Sequence, residues 1–141
     1  MTELSTPTFE LAQRCIQELP WEGRLEGYWT HLMSGSTQHY MYNLPQVADF
    51  LRGNVEVLYE RNGSVGYVNA TVLRDWIQEM LGDNELAQAV DAIVHELDNC
   101  ENDVKRQLKE IELIEPMGDL LRSRVKQCLA VLEDTLVKEE R

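Results

Sequence analysis

The side chains in this sequence that could do chemistry are its histidines and the carboxylates near two of them. His31 and His39 lie eight residues apart, and Glu22 and Glu26 precede them by less than twenty residues. A helix-borne carboxylate metal site draws Glu-x-x-His pairs from more than one helix, and a zincin needs HExxH. His95 is followed by glutamate but has no second histidine at that spacing. We therefore predict no metal, no cofactor and no catalytic centre.

An enzyme would need its reacting groups to be assembled by the fold alone. The residues available for that would be Glu22, Glu26, His31 and His39. The three cysteines, Cys15, Cys100 and Cys128, are odd in number and widely spaced, and no C-x-x-C pair is present. Such spacing argues against a disulfide framework or a zinc site, so we predict that they are small apolar residues on helix faces. We expect a protein that is not an enzyme.

Aromatic side chains are concentrated between residues 21 and 42. Trp, Tyr and Met are enriched where proteins contact each other, although the same side chains also anchor loops to a core. The predicted partner-binding residues are Trp21, Tyr28, Trp29, His31, His39, Tyr40 and Tyr42.

The chain is strongly acidic, with a formal net charge of −12. Residues 83–141 hold 15 acidic and 8 basic side chains, so most of the excess lies there. A field of this sign opposes approach to nucleic-acid phosphates and to anionic membranes. It either keeps the surface soluble or complements a basic protein partner, and both interpretations remain open. No signal peptide or apolar run of about 20 residues is visible, so we expect a cytoplasmic protein without a membrane span.

Hydrophobic periodicity predicts an all-α fold in two parts. Residues 1–82 form a compact helical part, and residues 83–141 form a long antiparallel helical hairpin. The predicted helices cover 7–19, 21–33, 69–81, 84–114 and 117–138, with a loop over 34–43 and at most a minor extended piece near 64–68. Residues 45–62 allow either one long helix or two short helices separated at Gly53.

The predicted hairpin turns at Pro116, and its first helix carries a 4–3 apolar repeat that is typical of helices packed side by side. The two interleaved series are Leu86, Ile93 and Cys100, and Val90, Leu97, Val104 and Ile111. A long hairpin has more apolar edge than one helix covers. We therefore expect it to pack on the first part or on a second copy of the chain, which predicts a homodimer.

Residues 44–81 contain a spaced set of apolar and glycine positions. These are Val47, Ala48, Leu51, Leu58, Tyr59, Gly63, Leu73, Trp76 and Ile77. The pattern resembles the small helix-turn-helix unit of excisionase and MerR-type regulators, over about a quarter of the chain. Such units lay their second helix in the DNA major groove. The resemblance implies DNA contacts from Arg52, Asn54, Arg61 and Arg74, with the hairpin as a dimerisation arm.

Two functions follow from these observations. The first is a non-enzymatic, acidic, helical protein-interaction module that acts as an adaptor, assembly factor or regulatory subunit. The alternative is a helix-turn-helix transcription regulator with a C-terminal helical dimerisation arm.

Overall fold

A computed structural model of the chain describes residues 4–31, 35–51 and 64–139. The elements in chain order are α1 (Phe9–Ile16), β1 (Leu25–His31), β2 (Gly35–Met41), α2 (Leu44–Phe50), β3 (Ser64–Tyr67), α3 (Ala70–Trp76), α4 (Asn84–Leu97) and α5 (Asp103–Glu139). A 3₁₀ turn, Trp21–Gly23, precedes β1, and a π-helical turn, Ile77–Leu81, continues α3.

The protein is a mixed α+β structure, so the prediction of an all-α fold is wrong. β1 lies in the centre of a three-stranded antiparallel sheet of order β2-β1-β3. Its register places Gly27 opposite His39 on β2 and Trp29 opposite Gly66 on β3. The segments predicted as a helix over 21–33 and a loop over 34–43 contain the two long strands. The minor extended piece near 64–68 is confirmed as β3.

The strands were missed because β1 satisfies two periodicities at once. Its apolar residues fit a helical stripe, whereas in the structure burial alternates along the strand, with Leu25 and Gly27 buried and Tyr28 exposed. Gly27 weakens a helix, and aromatic residues favour a pleated surface. β2 is polar over most of its length and exposed from Gly35 to Gln38, so its composition is that of a loop.

Two glycines let α2 approach the sheet closely. A Cβ atom on Gly27 would lie 2.9 Å from Cε1 of Phe50, and one on Gly66 would lie 3.1 Å from the same atom. Both distances are shorter than an ordinary carbon–carbon contact, so larger residues at these positions would push α2 away. The inner side of the sheet is therefore packed directly on the last turn of α2.

The first and third helices follow the sequence-based expectation. Thr8 caps α1 through a hydrogen bond from the backbone N–H of Leu11, and Asn69 caps α3. The helical stretch that begins with α3 ends at Gly82, whose φ of 69° is left-handed. The predicted helix over 69–81, with Asn69 as its N-cap and Gly82 after its end, is confirmed. α2 ends at Phe50, so residues 45–62 do not form one helix; residues 52–63 lie outside the described part.

The break between the C-terminal helices falls at residues 98–102, not at Pro116. α5 runs through Pro116 for 37 residues, or roughly 55 Å at 1.5 Å per residue. Pro116 removes one backbone donor, but the proline and Glu112 are exposed, so water can bond the unpaired carbonyl. Met117 and Leu121 are buried just beyond it, and their packing holds the helix together across the proline.

A buried ion pair fastens α5 to the start of α4. Arg124 donates from Nε to Oδ2 of Asp83 at 2.8 Å and from Nη2 to Oδ1 at 3.0 Å. Both residues are at most 2% exposed. Asp83 also accepts from the backbone N–H of Leu86, which caps α4, and Arg124 donates to the carbonyl of Ser5 at 2.7 Å. One arginine therefore ties three distant segments together.

None of the three cysteines forms a disulfide, and Cys15 and Cys128 are buried in the core as predicted. The prediction is wrong for Cys100, which lies in the break between α4 and α5 and not on a helix face. A hydrogen bond to the Cys128 thiol, together with burial, raises the pKa of Cys15 well above its ordinary value. Cys15 is therefore a neutral thiol at physiological pH. Among the described helices, none has a stretch long and apolar enough to cross a bilayer.

Candidate functional site

The predicted partner-binding residues occupy both faces of the β1–β2 hairpin. Directly paired residues share a face, so Glu26 and Tyr40 lie on one side and Gly27 and His39 on the other. We call the first side the outer face and the side toward α2 the inner face. His31 ends β1, and its side chain lies outside the described part of the structure.

A line of hydrogen bonds crosses the outer face. Tyr28 and Gln38 both donate to Oε1 of Glu26, at 3.0 and 2.9 Å, and Tyr40 donates to Oε1 of Gln38 at 3.1 Å. The hydrogen bond to Glu26 raises the pKa of Tyr28. The bonds hold these side chains in one orientation, so little further rotamer entropy is lost when a partner covers them.

Arg24 fixes the aromatic end of the outer face. Its guanidinium lies 3.6 Å from the centroid of the Trp21 ring and 5.1 Å from that of Tyr40. The two rings meet edge to face at 5.1 Å. Arg24 also donates to the Trp21 carbonyl at 2.8 Å, while its Nε is buried without a hydrogen-bond partner among the described residues. The aromatic surface at this end therefore already holds one cation.

A three-ring cluster lies on the inner face. His39 and Phe50 are stacked, with centroids 4.9 Å apart and planes 9° apart. Trp29 meets Phe50 edge to face at 4.8 Å and His39 at 6.0 Å. Beside these rings, described residues of the sheet and of α2 line a cleft of about 810 Å³. The cleft is lined by Trp29, His39, Tyr40, Tyr42, Gln46, Asp49 and Phe50.

The α2 wall of the cleft is fixed by a well-formed helix start. Asn43 caps α2 by accepting from the N–H of Gln46 at 3.0 Å, and its Nδ2 donates to the carbonyl of Ile16 at 3.0 Å. Oε1 of Gln46 accepts from the backbone N–H of Tyr42 at 2.7 Å. Pro45 stands in the first turn, where its fixed φ suits a helix. The cleft is therefore preformed.

Four residues of the site were not predicted. Arg24 was missed because it is charged, and Phe50 because its apolar type suggested only core packing. Gln46 and Asp49 lie on the helix that faces the strands, and only the tertiary structure brings them there. The Asn43–Leu44–Pro45 start of α2 was the one local signal that could have indicated a rigid wall at this point.

Of the residues considered for a catalytic site, Glu26 and His39 are not brought together. Glu26 is engaged on the outer face, whereas His39 is stacked on Phe50 on the inner face. In the described ranges, no cluster of three or more His, Cys, Asp or Glu side chains is placed to hold a metal ion.

Of the four predicted DNA-contact residues, the structure describes only Arg74. Arg74 forms ion pairs with Asp75 at 3.2 Å and with Asp91 at 2.5 Å. The hydrogen bond from Arg74 to Asp91 is the main cause that raises the pKa of Arg74. Arg52, Asn54 and Arg61 lie outside the described residues.

Comparisons of the chain with protein-family models, with curated proteins and with solved structures found no match. The functional argument therefore depends on the residues and geometry of this chain.

Proposed function

We propose that this protein is a non-enzymatic protein-interaction module that acts as an adaptor, assembly factor or regulatory subunit. The observation that supports it best is the cleft between β2 and α2. Aromatic rings and a histidine line most of this cleft, and its volume of about 810 Å³ suits a peptide segment or a few large side chains. Trp and Tyr dominate the binding energy of protein interfaces.

The exposure of the outer-face aromatics supports the same function. Trp21 is 52% exposed and Tyr28 is 37% exposed, and neither is needed to fill the core. Large aromatic side chains that stay in water, held by hydrogen bonds and a stacked arginine, cost little entropy on binding. The net charge of −12 complements a basic partner. The proposal includes a cytoplasmic location, where such a partner would be met.

Self-association belongs to the same proposal. α5 exposes apolar side chains near both of its ends: Val104, Leu108, Leu129 and Leu136. Such side chains are normal singly but favour contact between helices when they recur on one element. Sedimentation velocity at several concentrations tests the predicted homodimer. A single species at the monomer mass at all concentrations would refute it.

The test of the interaction function is a comparison of tagged wild type with tagged variants expressed in the native host. We expect wild type to retain a defined partner that Trp21→Ala and Tyr42→Ala each weaken by at least fivefold, because each removes an aromatic contact. Val72→Ala is the matched control, since Val72 is 50% exposed but lies on α3, away from the cleft. Circular dichroism confirms that all forms are folded. A partner lost equally from the control, or retained by both site variants, would contradict the proposal.

DNA binding through residues 44–81 stays the alternative prediction. We favour the interaction module because the described candidate, Arg74, is already paired with two carboxylates. A mobility-shift assay at low salt with random-sequence DNA tests the alternative, and a shift that Arg52→Ala abolishes would support it.

A further inference from the structure

Two buried cysteines meet beside the ion pair that fastens α5 to the start of α4. Cys15 lies on α1 and Cys128 on α5, and neither side chain is exposed to solvent. The thiol of Cys15 donates a hydrogen bond to the sulfur of Cys128, so the two sulfur atoms are in direct contact. Their distance in sequence gives no sign of this contact, because it depends on the packing of α1 against α5.

The ion pair lies next to both sulfur atoms. Oδ2 of Asp83 is 4.0 Å from Sγ of Cys15 and 2.8 Å from Nε of Arg124. Arg124 precedes Cys128 by about one helical turn, so the two residues share a face of α5. The hydrogen bond from Cys15, followed by the charge of Arg124, lowers the pKa of Cys128 in spite of its burial. A thiolate beside a cation is the reactive form of cysteine, and here a neutral thiol is in contact with it.

We propose that Cys15 and Cys128 form a redox site, in which hydrogen peroxide converts the two thiols to a disulfide that joins α1 covalently to α5. The Cys128 thiolate attacks one oxygen of the peroxide, the O–O bond breaks, and the leaving hydroxide takes a proton from solvent to form water. The sulfur of Cys15 then attacks the sulfenic acid on Cys128. The S–O bond breaks, and the second hydroxide leaves as water with the Cys15 proton.

The electrons and atoms of this reaction balance, since two thiols lose two electrons and one peroxide molecule becomes two water molecules. A small thiol reductant reverses the reaction by thiol–disulfide exchange. Because the sulfur atoms already touch, the disulfide requires only small movements of two side chains. The reaction does not depend on a bound partner, so the inference goes beyond the proposed function.

Burial determines which oxidants can reach the pair. The carbonyl of Ser5 accepts a hydrogen bond from Arg124 at 2.7 Å, and the carbonyl of Leu4 accepts one from Gln127 at 2.8 Å. These bonds hold the segment that leads into α1 against α5, next to the two sulfur atoms. An oxidant therefore enters through local opening of the structure, which favours a small, uncharged molecule such as hydrogen peroxide over a bulky disulfide.

Peroxide treatment of the full-length Cys100→Ser protein tests the inference, because this variant retains only the two cysteines of the site. After alkylation of the remaining thiols in denaturant, trypsin should release residues 15–24 linked to residues 127–138 by a disulfide. Dithiothreitol should restore both thiols, and circular dichroism should show the same helix content before and after oxidation. Oxidised glutathione should form the link about tenfold more slowly, since it is much larger than peroxide.

The single variants Cys15→Ser and Cys128→Ser, made in the same background, separate the roles of the two sulfur atoms. Cys15→Ser should stop at a sulfenic acid on Cys128 that dimedone traps, whereas Cys128→Ser should react about tenfold more slowly, because its remaining thiol stays neutral. Thiols that stay reduced, a link that forms only in urea, or Cys128 oxidised to sulfinic acid beside a reduced Cys15 would each overturn the inference. An equal rate with oxidised glutathione would overturn the assignment to peroxide.

Discussion

Replacement of Gly118 by alanine should change the stability of the protein in two opposite ways, one through helix propensity and one through tertiary packing. Gly118 lies inside α5, where an alanine is more favourable than a glycine by about 1 kcal/mol. In the folded protein, however, an added Cβ would lie far inside van der Waals contact with the carbonyl oxygen of Leu51 and 2.9 Å from Nη1 of Arg122. Propensity alone predicts a more stable protein, and packing predicts a less stable one.

The stability lost through packing exceeds the stability gained through helix propensity. Arg122 Nη1 donates to the carbonyls of Ala48 and Leu51 at 2.8 and 3.1 Å, and these bonds hold the end of α2 against α5. Overpacking a tight contact costs about 1–3 kcal/mol. Loss of one hydrogen bond from a charged group costs a further ~1.5–3 kcal/mol. After the helical gain is subtracted, Gly118→Ala should lower the free energy of unfolding by about 1.5–5 kcal/mol.

Urea unfolding followed by tryptophan fluorescence measures the change, with the slope against urea expected to stay constant. Ser123→Ala is the matched control, because Ser123 is exposed on the same helix and should gain about 0.5 kcal/mol or less. Arg122→Ala should cost less in the Gly118→Ala background than in wild type, since the bonds that it removes are already weakened. A Gly118→Ala protein as stable as wild type would refute the packing of α2 on α5.

Three further changes test other contacts. Asp83→Ala removes both the partner of buried Arg124 and the cap of α4, and should lower the free energy of unfolding by about 3–5 kcal/mol in urea titrations. An additional Arg124→Met replacement should recover part of that loss, and no recovery would argue against an unpaired buried charge as its cause. Burial, followed by the nearby Glu110 carboxylate, raises the pKa of Tyr67 to about 12 from about 10 in the unfolded chain. The stability from the Tyr67 hydroxyl should be complete below about pH 10 and should disappear as the pH rises through about 12. It is measured as the difference in free energy of unfolding between wild type and the Tyr67→Phe variant, and a difference that stays constant through this pH range would contradict the prediction. Trp76 donates from its indole nitrogen to the buried carbonyl of Gly23 at 2.7 Å, so Trp76→Phe should cost about 1–3 kcal/mol in the same urea assay, and a neutral change would mean that this carbonyl finds another donor.

The parts of the fold that could be predicted are those fixed by local chemistry. Asn69 and Gly82 mark a helix because a side-chain cap and a left-handed residue act within one turn of the chain. The hairpin of β1 and β2 depends on pairing between residues as distant in sequence as Leu25 and Met41, and neither strand has an unambiguous pattern of its own. At Pro116 a local signal gave a wrong prediction. Proline usually ends a helix, but the burial of Met117 and Leu121 in the turn that follows keeps α5 continuous.

For the candidate site, the sequence indicated which residue types are present but not where the fold places them. The density of aromatic residues led to a candidate site in this part of the chain although the predicted secondary structure there was wrong, because hot-spot chemistry depends on side-chain type and not on the backbone that carries it. What the sequence could not indicate was the division of those residues between two faces. That division follows from the strand, and it is Phe50, packed under Gly27 and Gly66, that sets the floor of the cleft. A larger residue at Gly27 would displace Phe50 and with it the wall on which Gln46 and Asp49 stand. The two glycines, which carry no chemistry themselves, therefore determine whether the aromatic residues line a cleft or a closed core.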